Sequence, residues 1–206
     1  MNYNNRMIEI ISLDDHEMIS LGLRSIFAET KDIRLSHFCK TKAELIPLIE
    51  AKSPQELENT IAMLDIKLDN ESGFDSADYL VEKGIKCLMY TSFSNAGFIL
   101  KTMEHKIKGF ISKSAVNSEI LDAIRAVARG ETYIQKDLIS DMMYVSGILV
   151  TLTKKEREML DLISEHLPNE LIAERLGLSK RTIENYVSRI FDKFNVKNRY
   201  ELGRYL

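Results

Sequence analysis

Apolar residues in the first 130 positions switch repeatedly between short β-branched runs and longer stretches at helical spacing. Met7 to Leu13 is the first run, and it ends at Asp14-Asp15. Glu17 to Phe27 carries Met18, Ile19, Leu21, Leu23 and Ile26 at helical spacing. Ile33 to Phe38 predicts a second strand, and Lys42 to Glu50 a helix with Leu45, Leu48 and Ile49 on one face. Thr60 to Leu64 ends on Asp65, and so short a run between polar residues fits a strand buried on both faces of a parallel sheet. Ser76 to Glu82 predicts a helix closed by Gly84. Strands over Lys86–Tyr90 and Lys108–Ile111 come next, with helices over Ala96–Glu104 and Ser118–Ala128, the last closed by Gly130. Five βα repeats in about 125 residues predict an open parallel sheet with helices on both faces, doubly wound because crossovers are right-handed.

Residues 131–150 break this period and read as a linker, with a helical signal over Lys136–Tyr144. From Leu152 onward every signal is helical. Thr153-Lys154-Lys155-Glu156 is a capping box, opening a helix to about Glu165. Asn169 can cap a second helix, Glu170–Leu176. Gly177-Leu178-Ser179 is a tight turn, and Ser179 caps a third helix to about Phe194. Asn198 can cap a short fourth. The pattern therefore divides the chain into an α/β part over residues 1–130, a linker over 131–150, and an all-α part over 151–206.

Composition narrows the class. At 206 residues and 45% hydrophobic, the chain can build one large domain or two modest ones. No apolar stretch approaches the ~20 residues that span a bilayer, and Met1–Arg6 is too polar to open a signal peptide. Cys39 and Cys87 lie far apart, outside metal-ligand spacing, as buried thiols of a reducing compartment do. These features predict a cytoplasmic protein with no membrane partner. The net charge is −3 overall, −3 over residues 1–130, −2 over 131–150 and +2 over 151–206. An acidic front and a locally basic back suit different partners.

The strand ends carry the chemistry. They deliver Asp14 and Asp15, then Asp65, Thr91 and Lys113 to one edge, where doubly wound sheets bind ligands. Crowded carboxylates repel unless a cation joins them, and carboxylate oxygens suit Mg²⁺. A hydroxyl and an ammonium beside them can grip phosphoryl oxygens, and a carboxylate can attack phosphorus. The inference is an aspartyl-phosphate site. Taken singly, each residue has a plainer role: a solvated loop, a turn starter or a surface lysine.

Leu13-Asp14-Asp15-His16, Leu64-Asp65-Ile66, Tyr90-Thr91-Ser92 and Gly109-Phe110-Ile111-Ser112-Lys113 closely resemble a response-regulator receiver domain over residues 7–130. That resemblance implies a flavodoxin-like fold of five parallel strands, with Asp65 as phosphoacceptor. It implies Mg²⁺ held by Asp14, Asp15, Asp65 and the main-chain carbonyl of Lys67. It also implies that Thr91 moves to the arriving phosphoryl group, that Lys113 pairs with it, and that Phe110 is the aromatic switch. Three features depart from the family pattern. Phe110 lacks the common Tyr hydroxyl, Leu68-Asp69 replaces Met-Pro, and Lys67 and Phe93 occupy positions that tune dephosphorylation.

In the C-terminal part, Asn169–Leu176 and Lys180–Phe194 have helix-turn-helix proportions. Off the apolar face of the latter lie Lys180, Arg181, Thr182, Glu184, Asn185, Ser188, Arg189 and Lys193. Arg, Lys and Thr suit phosphates, Asn suits adenine, and Glu can accept from cytosine N4. By composition alone, a helical bundle with a solvated charged face fits as well. Leu152-Thr153-x-x-Glu156, Asn169-Glu170-x-Ile172-Ala173-x-x-Leu176 and Leu178-Ser179-x-x-Thr182-Ile183-x-x-Tyr186-Val187 strongly resemble the LuxR-type DNA-binding domain. So does the ending Lys193-Phe194-Asn195-Val196-x-Asn198-Arg199. Tyr186 and Glu184 stand where His and Lys are more usual.

Together the halves resemble the NarL/FixJ class. That implies a two-component transcriptional regulator, phosphorylated on Asp65 by a sensor histidine kinase. It also implies a homodimer on double-stranded promoter DNA, with RNA polymerase as a further partner. No enzymatic activity is expected beyond phosphoryl transfer to Asp65 and its hydrolysis. Two alternatives use the same residues: a DNA-binding regulator indifferent to phosphate, and an aspartyl-phosphate phosphatase of the haloacid-dehalogenase type. The latter wants a second Asp where Lys67 stands.

Overall fold

The computed structural model describes residues 7–206, so the signal-peptide reading of Met1–Arg6 lies outside the described residues. The chain divides into two compact units. One comprises the chain up to Ser94 together with Lys101–Lys136, the other Asn95–Leu100 together with Asp137–Leu206.

In the first unit the βα pattern becomes β1 (Ile8–Leu13), α1 (Glu17–Ala28), β2 (Ile33–Cys39), α2 (Lys42–Glu50), α3 (Pro54–Glu58), β3 (Thr60–Leu64) and α4 (Gly73–Glu82). It continues with β4 (Lys86–Thr91), α5 (Ala96–Glu104, of which only Lys101–Glu104 belongs to this unit), β5 (Gly109–Ser112), α6 (Asn117–Ala128) and β6 (Tyr133–Ile134). The sheet runs β2-β1-β3-β4-β5-β6, parallel throughout. It thus has six strands where five were expected. β6 has only two residues, too few to show an alternating or apolar run. α3 has no counterpart in the expected elements; its short polar sequence is set by a capping box between Ser53 and Glu56 with Pro54 at the first turn.

All five residues of β3 are buried, as a strand covered by helices on both faces must be. Ile10, Ile61, Met63, Leu88, Ile111, Ile120, Ile124 and Val127 pack one core cluster. At ~25 cal/mol per Å² of apolar surface, such burial is the main stabilising term.

The second unit is helical, with α7 (Lys136–Leu149) leading to α8 (Lys154–Ser164), α9 (Asn169–Leu176), α10 (Lys180–Phe194) and α11 (Arg199–Leu202). Thr153 and Glu156 form the expected capping box. Asn169 does not cap α9: it is the first helical residue, after Pro168, and its side-chain oxygen binds the Arg199 guanidinium. Gly177 closes α9 in the left-handed region at φ 64°, which only glycine adopts without strain, and so sets the turn into α10. Ile172, Ile183, Val187, Ile190, Phe194 and Leu202 share one buried core. Among the described residues no helix is long and apolar enough to cross a membrane.

Candidate functional site

Sheet register gathers the polar strand ends. Leu13 pairs with Leu64, Leu64 with Met89 and Met89 with Phe110, so Asp14 and Asp65 come level just past their strands, with Thr91 one residue and Lys113 two residues further along the same edge. The main-chain bonds continue one step beyond the strands: Asp14 N to Cys39 O at 3.0 Å, Asp65 N to Leu13 O at 2.9 Å, Lys113 N to Thr91 O at 2.8 Å. Asp14, Asp65 and Lys113 are therefore positioned by backbone rather than by flexible loops.

Their side chains converge. The Thr91 hydroxyl donates to Asp65 Oδ1 at 2.7 Å, and the Lys113 ammonium donates to Asp65 Oδ2 at 2.7 Å. The same ammonium lies 2.7 Å from Asp14 Oδ2. Asp14, Asp65 and Thr91 are buried. Burial pushes the Asp14 carboxyl above its ordinary range, against the pull of Lys113. Burial also works against the Lys113 charge, but its bonds to Asp14 and Asp65 outweigh that and raise its pKa. Thr91, expected to move in on phosphorylation, already touches Asp65 here. Its oxygen also accepts from Phe93 N at 3.2 Å.

Asp15 is half-buried, and its Oδ1 lies 2.6 Å from the His16 ring nitrogen Nδ1. One ligand atom from each of Asp14, Asp15, His16 and Asp65 lies within 4.8 Å of the others. The three carboxylates of this cluster supply the oxygen donors that a hard divalent cation prefers. Sequence reasoning missed His16 as a neighbour of this cluster, although it directly follows Asp14-Asp15 in the chain. An open cavity of about 520 Å³ lies over the cluster, bordered by Lys67, Met18, Phe93 and Lys113 among others. On its rim the Lys67 ammonium sits 5.5 Å from the Phe93 ring centroid.

The loop below Asp65 folds back through Gly73, whose N–H donates to Ile66 O at 2.9 Å. A Cβ at Gly73 would stand 1.9 Å from Asp65 O, so only glycine fits. Phe110 is fully buried in β5, opposite Met89. A ring without a hydroxyl needs no polar partner there.

On α10, Lys180, Arg181, Glu184, Asn185, Ser188 and Arg189 are exposed. Arg189 lies over the Tyr186 ring at 5.8 Å, and Lys180 pairs with Glu170 at 2.6 Å. Thr182 is half-buried and engaged with the Ser179 cap, its N–H bound to Ser179 Oγ at 3.1 Å. Lys193 departs furthest from the expectation of a DNA contact. Its ammonium binds the buried Glu156 at 2.7 Å and Thr151 O at 2.9 Å, which makes it a strut of the fold. Helical periodicity cannot show this, because the partner lies 37 residues away.

The profile of the response regulator receiver domain family matches residues 10–125, and that of the LuxR family of bacterial regulatory proteins matches residues 150–206. The chain is 26% identical over 195 residues to the transcriptional regulatory protein DesR of Bacillus subtilis, covering 95% of this chain and 94% of that one. It is 26% identical over 202 residues to the DNA-binding transcriptional activator DevR/DosR of Mycobacterium tuberculosis, covering 94% and 91%. In fold it is similar to RcsB of Salmonella enterica serovar Typhimurium, solved bound to a promoter with a phosphomimetic. There the TM-score is 0.73 at 20% identity, covering 98% of each chain. The chain belongs to the response regulators, with a receiver domain followed by a LuxR-type DNA-binding domain in the arrangement of the NarL/FixJ class.

Proposed function

We propose that Asp65 accepts a phosphoryl group from a sensor histidine kinase and that this controls binding of promoter DNA through α10. The observation that carries the reading is the convergence of the Thr91 hydroxyl and Lys113 ammonium on the two Asp65 oxygens, 2.7 Å each. An Asp65 oxygen attacks phosphorus, the bond to the donor nitrogen breaks, and the imidazole leaves with a proton. Thr91 and Lys113 then transfer their hydrogen bonds to phosphoryl oxygens, where donors aimed at developing charge act most strongly. Asp14, Asp15, Asp65 and the main-chain carbonyl of Lys67 would hold Mg²⁺, with His16 beside them. The bound ion would neutralise the charge that builds on the phosphoryl oxygens.

Residues 1–130 form the receiver in this reading, 131–150 the linker and 151–206 the DNA-binding domain. The cell compartment is the cytoplasm, and the only chemistry is phosphoryl transfer to Asp65 and its hydrolysis. Phosphorylation favours a homodimer, whose two α10 helices enter successive major grooves roughly 10 bp apart. Arg181 and Arg189 hold phosphates, while Glu184, Asn185 and Ser188 face base edges; RNA polymerase is the downstream partner.

The test is intact-mass measurement after incubation with acetyl phosphate and Mg²⁺. Wild type gains one phosphoryl group and Asp65→Ala gains none. An unchanged mass for wild type across several phosphodonors overturns the reading.

A further inference from the structure

β6 ends after two residues, yet the edge of β5 that faces it does not end there. Tyr133 N donates to Lys108 O at 2.9 Å, and Gln135 N donates to Phe110 O at 3.1 Å. The next β5 group on that side is the Ser112 N–H. A strand running further would offer a main-chain carbonyl there, but the chain turns into α7 at Lys136. The Gln135 side chain takes over: its Oε1 accepts from Ser112 N at 2.9 Å. Both residues are buried, Gln135 at 7% exposure and Ser112 at 6%. A buried N–H without an acceptor is costly, so this side chain anchors the end of β5.

Lys113 is the next residue after that anchored end. Its own N–H is held from the other side by Thr91 O at 2.8 Å. The peptide segment carrying the ammonium is thus clamped between β4 and Gln135, and Gln135 is the residue directly before α7. We infer that Gln135 is a positioning residue for Lys113 and links the phosphoryl site to the first turn of α7. When Lys113 shifts its ammonium from Asp65 toward a phosphoryl group, the Ser112–Lys113 peptide moves with it. Gln135 moves in turn through its side chain and, through Phe110 O, its main chain. The helix that begins one residue later is the covalent route to the second unit.

This inference rests on Asp65 as acceptor and Lys113 as its phosphoryl partner. The experiment uses the full chain with acetyl phosphate and Mg²⁺, with intact mass and amide hydrogen exchange as readouts. Gln135→Met keeps the bulk but cannot accept. Gln135→Glu still accepts and serves as the conservative rescue. Gln135→Ser is too short to reach Ser112 and admits water, so it carries the same expectation as Met with less strain.

In wild type, phosphorylation changes exchange in the first turn of α7. Gln135→Met and Gln135→Ser take up the phosphoryl group, exchange Ser112 N–H about tenfold faster (about 1.4 kcal/mol), and lose the α7 response. Gln135→Glu retains both the protection and the response. A full α7 response in Met or Ser variants, or its loss alike in the Glu variant, overturns the link. Phosphoryl uptake by wild type without any α7 response overturns it as well. A wild type that takes up no phosphoryl group overturns the acceptor reading and this inference with it.

Discussion

Replacing Glu156 by Gln tests how the DNA-binding unit is held together. The carboxylate is buried and accepts from Thr153 N at 2.8 Å and from the Lys193 ammonium at 2.7 Å. The Lys193 bond first, and the Thr153 N–H second, lower its pKa from 4.5 to about 2. That shift corresponds to about 3 kcal/mol between the charged and protonated forms. Lys193 is 30% exposed, and solvent screening reduces the expected loss to about 2 kcal/mol. Gln mimics the protonated acid, so it can still cap α8 but no longer pairs with Lys193. The folded pKa is depressed, so the stabilisation is fully present above about 4.5 and fades as pH falls toward about 2. Urea titrations monitored by NMR signals of residues 153–202 read this unit separately from the other. Glu156→Gln should cost about 2 kcal/mol near pH 6, and the gap to wild type should shrink steadily below pH 4.5. A gap under about 0.5 kcal/mol near pH 6, or one independent of pH, refutes the reasoning.

Arg189→Ala should weaken DNA binding at all sequences alike and reduce the salt slope by about 1, measured by titration at several salt concentrations. Lys193→Met should instead lower the stability of the second unit and leave that slope unchanged. Phe93→Ala, which opens the rim beside Lys67, should shorten the lifetime of the Asp65 phosphate roughly fivefold, as loss of a stacked cation and its shielding ring allows. Mass spectrometry over time checks it. Gly73→Ala drives a Cβ to 1.9 Å from Asp65 O. It should cost about 1–3 kcal/mol in thermal or urea unfolding and reduce phosphoryl uptake.

The chain's own order of residues was enough for the parallel sheet, because each strand is a local apolar run ending at a polar residue. Asp14, Asp65, Thr91 and Lys113 were legible for the same reason: in a parallel sheet the ends of such runs fall on one edge. The capping box at Thr153 and the turn at Gly177 are local too. Contacts between distant residues that share no sheet edge were not legible. Lys193 looked like one more basic residue off the apolar face of α10 until folding brought Glu156 to it. β6 and Gln135 gave no periodic signal, since two residues cannot show a pattern and a lone polar side chain reads as loop. His16 was visible only as a neighbour in sequence, and its approach to Asp15 depends on how α1 begins. Local patterning therefore determined the elements and the acidic edge, because period and strand length are properties of short segments. Which polar atoms meet was decided by the tertiary structure, because a hydrogen bond across 37 residues exists only once both elements are packed.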